Sequence, residues 1–187
     1  MPADSKYLVR RLEPSDAPSM FAAVSASLAE LVYWMPWCRQ NYALEDAEAW
    51  IQFTQMAWSR KSEFPLGVFE ASTGFVVGGT GVNQINKANR IGNVGYWVST
   101  TSHVGRGVAR FAAKQAAALG FGERGLTKLE IIALSHNIAS QKVAESIGAT
   151  RECQAKNRLY FHGEPHDAIV YSLVPGDIAS DSAPCDA

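Results

Sequence analysis

Between residues 90 and 134 the hydrophobic pattern changes period twice, and this constrains the fold more than anything else in the chain. Arg90–Ser99 reads as a strand with glycines at 92 and 95. Glycines inside a strand weaken it and mark a bulge or a close approach of another backbone. After a polar loop, Val108, Phe111, Ala112, Ala116 and Leu119 fall at helical spacing, so a helix follows and ends near Gly120. Lys128–Leu134 is β-branched and mostly apolar, the pattern of a central parallel strand covered on both faces. Strand, helix, strand in this order makes a βαβ unit.

The flanking segments set that unit in a mixed α/β domain. Tyr7–Leu12 reads as a first strand, and Glu13-Pro14-Ser15-Asp16 as a capping turn that opens a helix over about 16–30. Leu31–Cys38 is densely aromatic and broken by Pro36. From Leu44 a second helix carries Ala47, Trp50, Ile51, Thr54, Ala57 and Trp58 on one stripe. Trp50 and Trp58 fit that stripe as packing residues. Phe64–Ala71 and Phe75–Asn86 form a hairpin about Ser72-Thr73-Gly74, and with Arg90–Ser99 they make an antiparallel meander. Asn137–Ile147 is a short helix stopped by Gly148, followed by strands near 149–160 and 166–173. One domain is expected over 1–174, with a flexible C-terminal tail over 175–187 that is small and polar.

Composition removes several function classes. Hydrophobic residues make up 47% of 187, ordinary for a globular chain, so wholesale disorder is excluded. Lys and Arg number 17 against 18 Asp and Glu, which argues against a dedicated nucleic-acid or anionic-membrane binder. Cys38, Cys153 and Cys185 are widely spaced and form no CxxC pair, and the four histidines form no metal-binding cluster. No metal site is expected. With no secretory signal and no apolar run of membrane length, a cytoplasmic location is expected.

His103-Val104-Gly105-Arg106-Gly107-Val108-Ala109 lies between the meander's last strand and the helix. Glycines there permit positive φ and a close ligand approach. Together with the free N–H groups of the first helical turn they make a concave anion site, to which Arg106 adds charge. On spacing alone the segment serves equally as a plain connection. It is neither a P-loop, because no Gly-Lys-Ser/Thr follows, nor a dinucleotide fingerprint, because the third glycine is missing.

Val94-Gly95-Tyr96-Trp97-Val98, then Gly105-Arg106-Gly107-Val108-Ala109, then Asn137-Ile138-Ala139-Ser140 with Ile147-Gly148-Ala149, resemble in order and spacing the GNAT acetyltransferases. Trp34-Met35-Pro36-Trp37 and the Glu45-Asp46-Ala47 helix start resemble the RimJ/RimL-like branch, which acetylates the N-termini of ribosomal proteins. The resemblance covers about residues 7–173. It implies a GNAT fold: a central, mostly antiparallel sheet with one splayed parallel strand pair, flanked by helices. It implies acetyl-CoA as co-substrate and a primary amine as acceptor, either a protein N-terminal α-amine or a small-molecule amine. A non-catalytic CoA-binding module is the rival from another class. The resemblance places CoA on Trp97 and Val98 (freed by a bulge near Gly95–Trp97), on Gly105, Arg106, Gly107, Val108 and Ala109, and on Asn137 and Ser140. Ser140 would protonate the departing thiolate. Trp34, Trp37 and Tyr96 would line the acceptor pocket, although aromatics at this density also make core. Relatives form monomers and homodimers.

The chain departs from the family pattern in four places. Val104 stands where Gln or Arg usually opens the glycine turn. Ala144 stands where the wider family carries a Tyr, a role the Rim-type branch gives to the position of Ser140. Asn93 stands where many relatives carry a Glu that acts as base, and Leu159 where some Rim-type enzymes do, so no general base transfers by resemblance. Glu152, His162, His166 and Asp167 are the substitutes considered, each equally a surface or turn residue; Glu45, Asp46, Glu48 and Glu63 are too scattered to promise an acidic cleft. At pH 7 roughly 10% of an α-amine is neutral against roughly 0.04% of a lysine, so weak base chemistry favours the α-amine.

Overall fold

The computed structural model describes residues 6–99 and 105–178. Seven strands form one sheet in the order β1-β2-β3-β4-β5-β7-β6. They are β1 (Tyr7–Arg10), β2 (Phe64–Glu70), β3 (Val76–Asn86), β4 (Ile91–Val98), β5 (Lys128–Leu134), β6 (Thr150–Phe161) and β7 (Glu164–Leu173). Helices α1 (Ala17–Ser25), α2 (Leu28–Trp34) and α3 (Leu44–Arg60) precede the meander; α4 (Val108–Ala118) and α5 (Ile138–Ser146) flank β5 in sequence. Every strand pair is antiparallel except β4 with β5. The expected mixed sheet with one parallel pair is thus observed.

Alternation along the strands divides the core into two layers. Phe64, Val82 and Val94 pack with Ala113 and Ala116 of α4. Phe69, Val76 and Trp97 face the other way, onto Met20, Val24 and Ile51 of α1 and α3. Leu129, Tyr171 and Leu173 are wholly buried, so β5 and β7, both interior strands, carry much of the core.

The single helix expected over 16–30 is two helices. Ser27, 1% exposed, interrupts it, and its hydroxyl meets that of Ser99 at 3.0 Å. A buried hydroxyl must find a partner, and this one ties the α1–α2 junction to the end of β4. At the head of α1, Arg10 reaches both carboxylate oxygens of Asp16 at 2.7 and 2.8 Å, while Asp16 also accepts the Glu13 N–H. Burial alone would raise the Asp16 carboxyl; the Arg10 guanidinium and Glu13 amide outweigh it and hold the group below its usual range.

Three further expectations need correction. The helix expected to end near Gly120 continues through a π turn over Leu119–Glu123, in which the Arg124 N–H bonds Leu119 O. Gly120 lies against Leu129, and its missing side chain is what lets that turn sit on β5. β4 carries no bulge at Gly95–Trp97: its register with β3 runs unbroken from Asn83↔Asn93 to Gly78↔Val98. The irregularity is in β3, between Asn83 and Asn86. Finally, residues 175–178 of the expected tail are ordered as a turn, with Asp177 accepting the Val174 N–H and Ile178 packed on the main core. Residues 179–187, Cys185 among them, lie outside the described residues.

Candidate active site

β4 and β5 pair only at Ile91↔Lys128, Gly92↔Leu129 and Asn93↔Glu130. Beyond Asn93 they part, each held by its other neighbour, β4 by β3 and β5 by β7. A cavity of about 640 Å³ opens along the parting, lined by Val94–Trp97 on one side and Ile131–Leu134 on the other. The parting does what the expected bulge was to do, with a shift of one residue. The Ser99 N–H bonds Val77 O, which fixes the antiparallel alternation. Trp97, Gly95 and Asn93 therefore turn their backbone groups to β3. Tyr96 and Val98 turn theirs into the gap, where no β5 residue pairs with them, an edge of the kind an extended ligand satisfies.

At the far wall, Asn137 caps α5, its Oδ1 accepting the Ser140 N–H at 3.0 Å. The Tyr96 hydroxyl crosses to α5, 2.9 Å from Ser140 O and 3.1 Å from Ser140 Oγ. Burial pushes the Tyr96 phenol up to about 12, against the opposing pull of the Ser140 bond. It is therefore protonated at neutral pH and donates. Tyr96 bonds Ser140 and lines the same cavity as Trp34 and Trp37, the residues it was grouped with from sequence.

At the open end, Gly105 and Gly107 hold φ of 77° and 78°, and α4 starts at the next residue. A Cβ at either would meet nothing within 4 Å, so backbone conformation, not packing, is what demands glycine there. The first helical bond goes from Phe111 N to Gly107 O, so the amides of Val108 and Ala109 precede the helix ladder. The Val108 side chain is core, leaving only its amide for a ligand. Arg106 borders a separate hollow of about 580 Å³ with Lys6 and Glu70. Thr100–Val104, with His103 and Val104, lie outside the described residues.

The face of β4 turned to α3 is aromatic. Trp37 meets Trp97 edge-on at 5.8 Å and Tyr42 at 6.3 Å. Trp34 stacks near Phe161 at 6.4 Å and lies 5.6 Å from the His136 ring. Both tryptophans line the cavity, as does Trp50, which also packs on the core as expected and stacks on Phe53 at 5.2 Å. Trp58 packs too: its indole N–H donates to Pro65 O and Arg11 lies over its ring. His162, in the β6–β7 turn, bonds Tyr33 O at 3.0 Å and so ties α2 to the hairpin at the rim.

None of the substitute bases lines the cavity. Glu152 is paired with Lys128 at 2.9 Å. Asp167 accepts the Asn157 N–H and the Gln154 amide, which hold it below its usual range. His166 lies 5.7 Å from Phe161, outside the gap. Asn93 and Leu159, at the positions where carboxylates were sought, do line it.

Comparison with known proteins agrees with this geometry. Residues 6–150 match the family model for the acetyltransferase (GNAT) domain. YdaF of Bacillus subtilis, provisionally assigned as a ribosomal N-acetyltransferase, is 27% identical over 169 residues, 89% of this chain and 90% of that protein. A Vibrio cholerae structure, provisionally assigned as a ribosomal-protein-serine acetyltransferase, is 28% identical over 92% of this chain and 96% of that one, with a TM-score of 0.77. RimJ of Mycobacterium smegmatis, solved with a CoA disulfide, is 20% identical at a TM-score of 0.80, over 93% of this chain and 84% of that one, and shows the fold alone. The parting of β4 from β5, the glycine turn ahead of α4 and the matched residues all lead to one conclusion: the chain belongs to the GNAT acetyltransferase family.

Proposed function

We propose that the protein transfers an acetyl group from acetyl-CoA to a primary amine, and that its acceptor is the N-terminal α-amine of a protein of the ribosomal type. The observation that carries the donor half is the exposed backbone edge of β4. Tyr96 and Val98 face an open gap that ends at a positive-φ glycine turn, as the two polar ends of a pantetheine pyrophosphate require. The residues present fit the group. Val98 and Tyr96 would bond the pantetheine amides, with Trp97 contributing its ring to the other face. The amides of Gly105, Arg106, Gly107, Val108 and Ala109 would hold the pyrophosphate. Asn137 and Ser140 would face the pantetheine arm from α5.

Acetyl-CoA supplies an activated acetyl thioester, and the chain's own contribution is placement. A preformed backbone edge fixes the donor, an aromatic slot fixes the acceptor, and holding both in register accounts for most of the acceleration. A β4 N–H pointing into the gap is positioned to stabilise charge on the carbonyl oxygen. Ser140 Oγ, oriented by Tyr96, gives a proton or hydrogen bond to the departing sulfur. Trp34 and Trp37 wall the acceptor slot.

The acceptor class rests on YdaF and the Vibrio cholerae protein, both provisionally assigned to ribosomal substrates. A cytoplasmic location goes with it. A second reading, a small-molecule amine, is favoured by the aromatic enclosure of the slot. Isothermal titration of acetyl-CoA into the wild type and a Gly107→Trp variant tests the donor site: micromolar binding lost in the variant is expected. Turnover of serine- and alanine-initiated peptides against a panel of small amines then separates the acceptor classes.

A further inference from the structure

The cavity's inner end holds a polar row that the family pattern does not predict. The pairs Phe64↔Val82 and Asn83↔Asn93, extended by one residue at the start of β2, set Glu63, Asn83 and Asn93 side by side across three strands. They share the face of Gly95 and Trp97, and all three line the cavity. The α3–β2 turn brings Glu63 there: Lys61 takes the left-handed conformation at φ 51°, and the Ser62 N–H returns to Ala57 O.

Two features of the row point to a cationic ligand. Asn93 donates its amide N–H to Asn83 Oδ1 at 2.8 Å, and its own Oδ1 is buried without a partner. A buried carbonyl oxygen without a donor is an accepting position for an incoming N–H. Glu63, at the other end of the row beyond Asn83, makes no ion pair among the described residues, and burial pushes its carboxyl above the usual range. The other titratable groups lining the cavity are Tyr42, Asp46, Tyr96 and Tyr160. The Asp46 carboxylate is taken by the Ala43 N–H at 2.9 Å and by Arg39 at 2.6 Å, which hold it below its usual range. Burial raises the phenols of Tyr42 and Tyr96, which leaves them as donors.

We infer that Glu63 is the general base of this enzyme: it takes the proton that the acceptor ammonium must lose, while Asn93 Oδ1 accepts a hydrogen bond from that same nitrogen. The inference rests on the acetyl-transfer reading given above. The step balances simply. One N–H bond of the ammonium breaks, its electron pair stays on nitrogen as the attacking lone pair, and the proton goes to a Glu63 carboxylate oxygen, directly or across one water. Partly buried rather than sealed from water, Glu63 then returns the proton to solvent. One carboxylate and one neutral carbonyl suit a single ammonium, so the site selects a monocation, such as a peptide α-amine, over a polyamine. Gly95 leaves room for the reacting group: a Cβ there would meet only Asn83 Nδ2, at 3.7 Å.

The test compares wild type, Glu63→Gln and Glu63→Asp with acetyl-CoA and a serine-initiated tetrapeptide amide, from about pH 6 to about pH 9. For Glu63→Gln, kcat/KM at neutral pH is expected to fall about 10²- to 10⁴-fold and to climb with pH until it levels off near the amine's own pKa of about 8, as bulk solvent supplies the neutral amine. Glu63→Asp keeps the wild-type pH profile at a reduced rate, and calorimetric acetyl-CoA affinity is the same in all three. Equal rates for wild type and Glu63→Gln, or one constant factor at every pH, overturn the inference. Should the wild type turn over no peptide, the acceptor class fails, and Glu63 is read separately by carboxyl ¹³C NMR of the free protein titrated with ethylammonium chloride. A Glu63 shift that is lost in Asn93→Leu upholds the site; no shift in the wild type overturns it.

Discussion

The two faces of β4 are built on different plans. Toward α4 and α5, the proposed donor side uses backbone: the groups of Tyr96 and Val98 that β5 leaves free, then the amides ahead of Val108, with a few polar side chains across the gap. Toward α3, the proposed acceptor side uses side chains: the rings of Trp37, Trp50 and Trp97, and the row ending at Glu63. A backbone site tolerates almost any residue that holds the conformation, so it leaves a short, recognisable glycine signature. A side-chain site is assembled from several separate elements and can be rebuilt for a new acceptor without touching the donor half.

That separation can be broken experimentally. The largest effect is expected from Gly95→Val, which fills the slot between Asn93 and Trp97. Acceptor turnover should fall about 100-fold or more from lost positioning, while calorimetric acetyl-CoA affinity stays within about twofold. Weakened donor binding in that variant would show that the two faces are coupled through β4. Ser140→Ala attacks the donor side instead and should lower kcat about 10- to 100-fold with little change in peptide KM, as measured by steady-state kinetics. Tyr96→Phe keeps the ring and loses only the two contacts to Ser140, so a fall of a few-fold to about tenfold in kcat is expected. A drop as large as that of Ser140→Ala would make the tyrosine the proton donor.

The smallest effect concerns the layer beneath the acceptor slot. Asp16 holds its folded-state carboxyl below the unfolded value, so its contribution is present above about pH 4 and is lost as pH falls through the folded value. Asp16→Ala should cost about 1–2 kcal/mol at neutral pH, read from urea unfolding. The gap to wild type should close in acid. A constant gap across pH would assign the loss to packing.

The sequence carried much of the fold because period and punctuation determine it locally. Lys128–Leu134 is observed with the expected bounds, and the meander lies within a residue or two of its expected limits. What failed was set by contacts distant in sequence. Nothing near Ser27 announces that its hydroxyl will meet Ser99, so the helix break there was invisible. The glycines of β4 suggested a bulge, yet the gap arises because β5 leaves β4 to follow β7. Glu63 sits in a turn among scattered acids, and only the register of three strands brings it into one row with Asn93. Trp50 packs on the core as its helical stripe implies, and the same stripe also continues into the slot. A helical period distinguishes inside from outside, and a cavity counts as inside.

β7 is the last strand in sequence and yet lies inside the sheet, joined to β5 from Leu129↔Leu173 to Leu134↔Ala168 and to β6 on its other edge. The timing of maturation follows from this. During vectorial synthesis, β5 emerges with only three residue pairs to β4 and no neighbour on its other flank, so the donor cleft has one firm wall. It gains the second only when the final hairpin threads between β5 and open solvent, a long-range closure that is slow compared with helix formation. The cleft's second wall is therefore complete only when Leu129–Leu134 has paired with Ala168–Leu173.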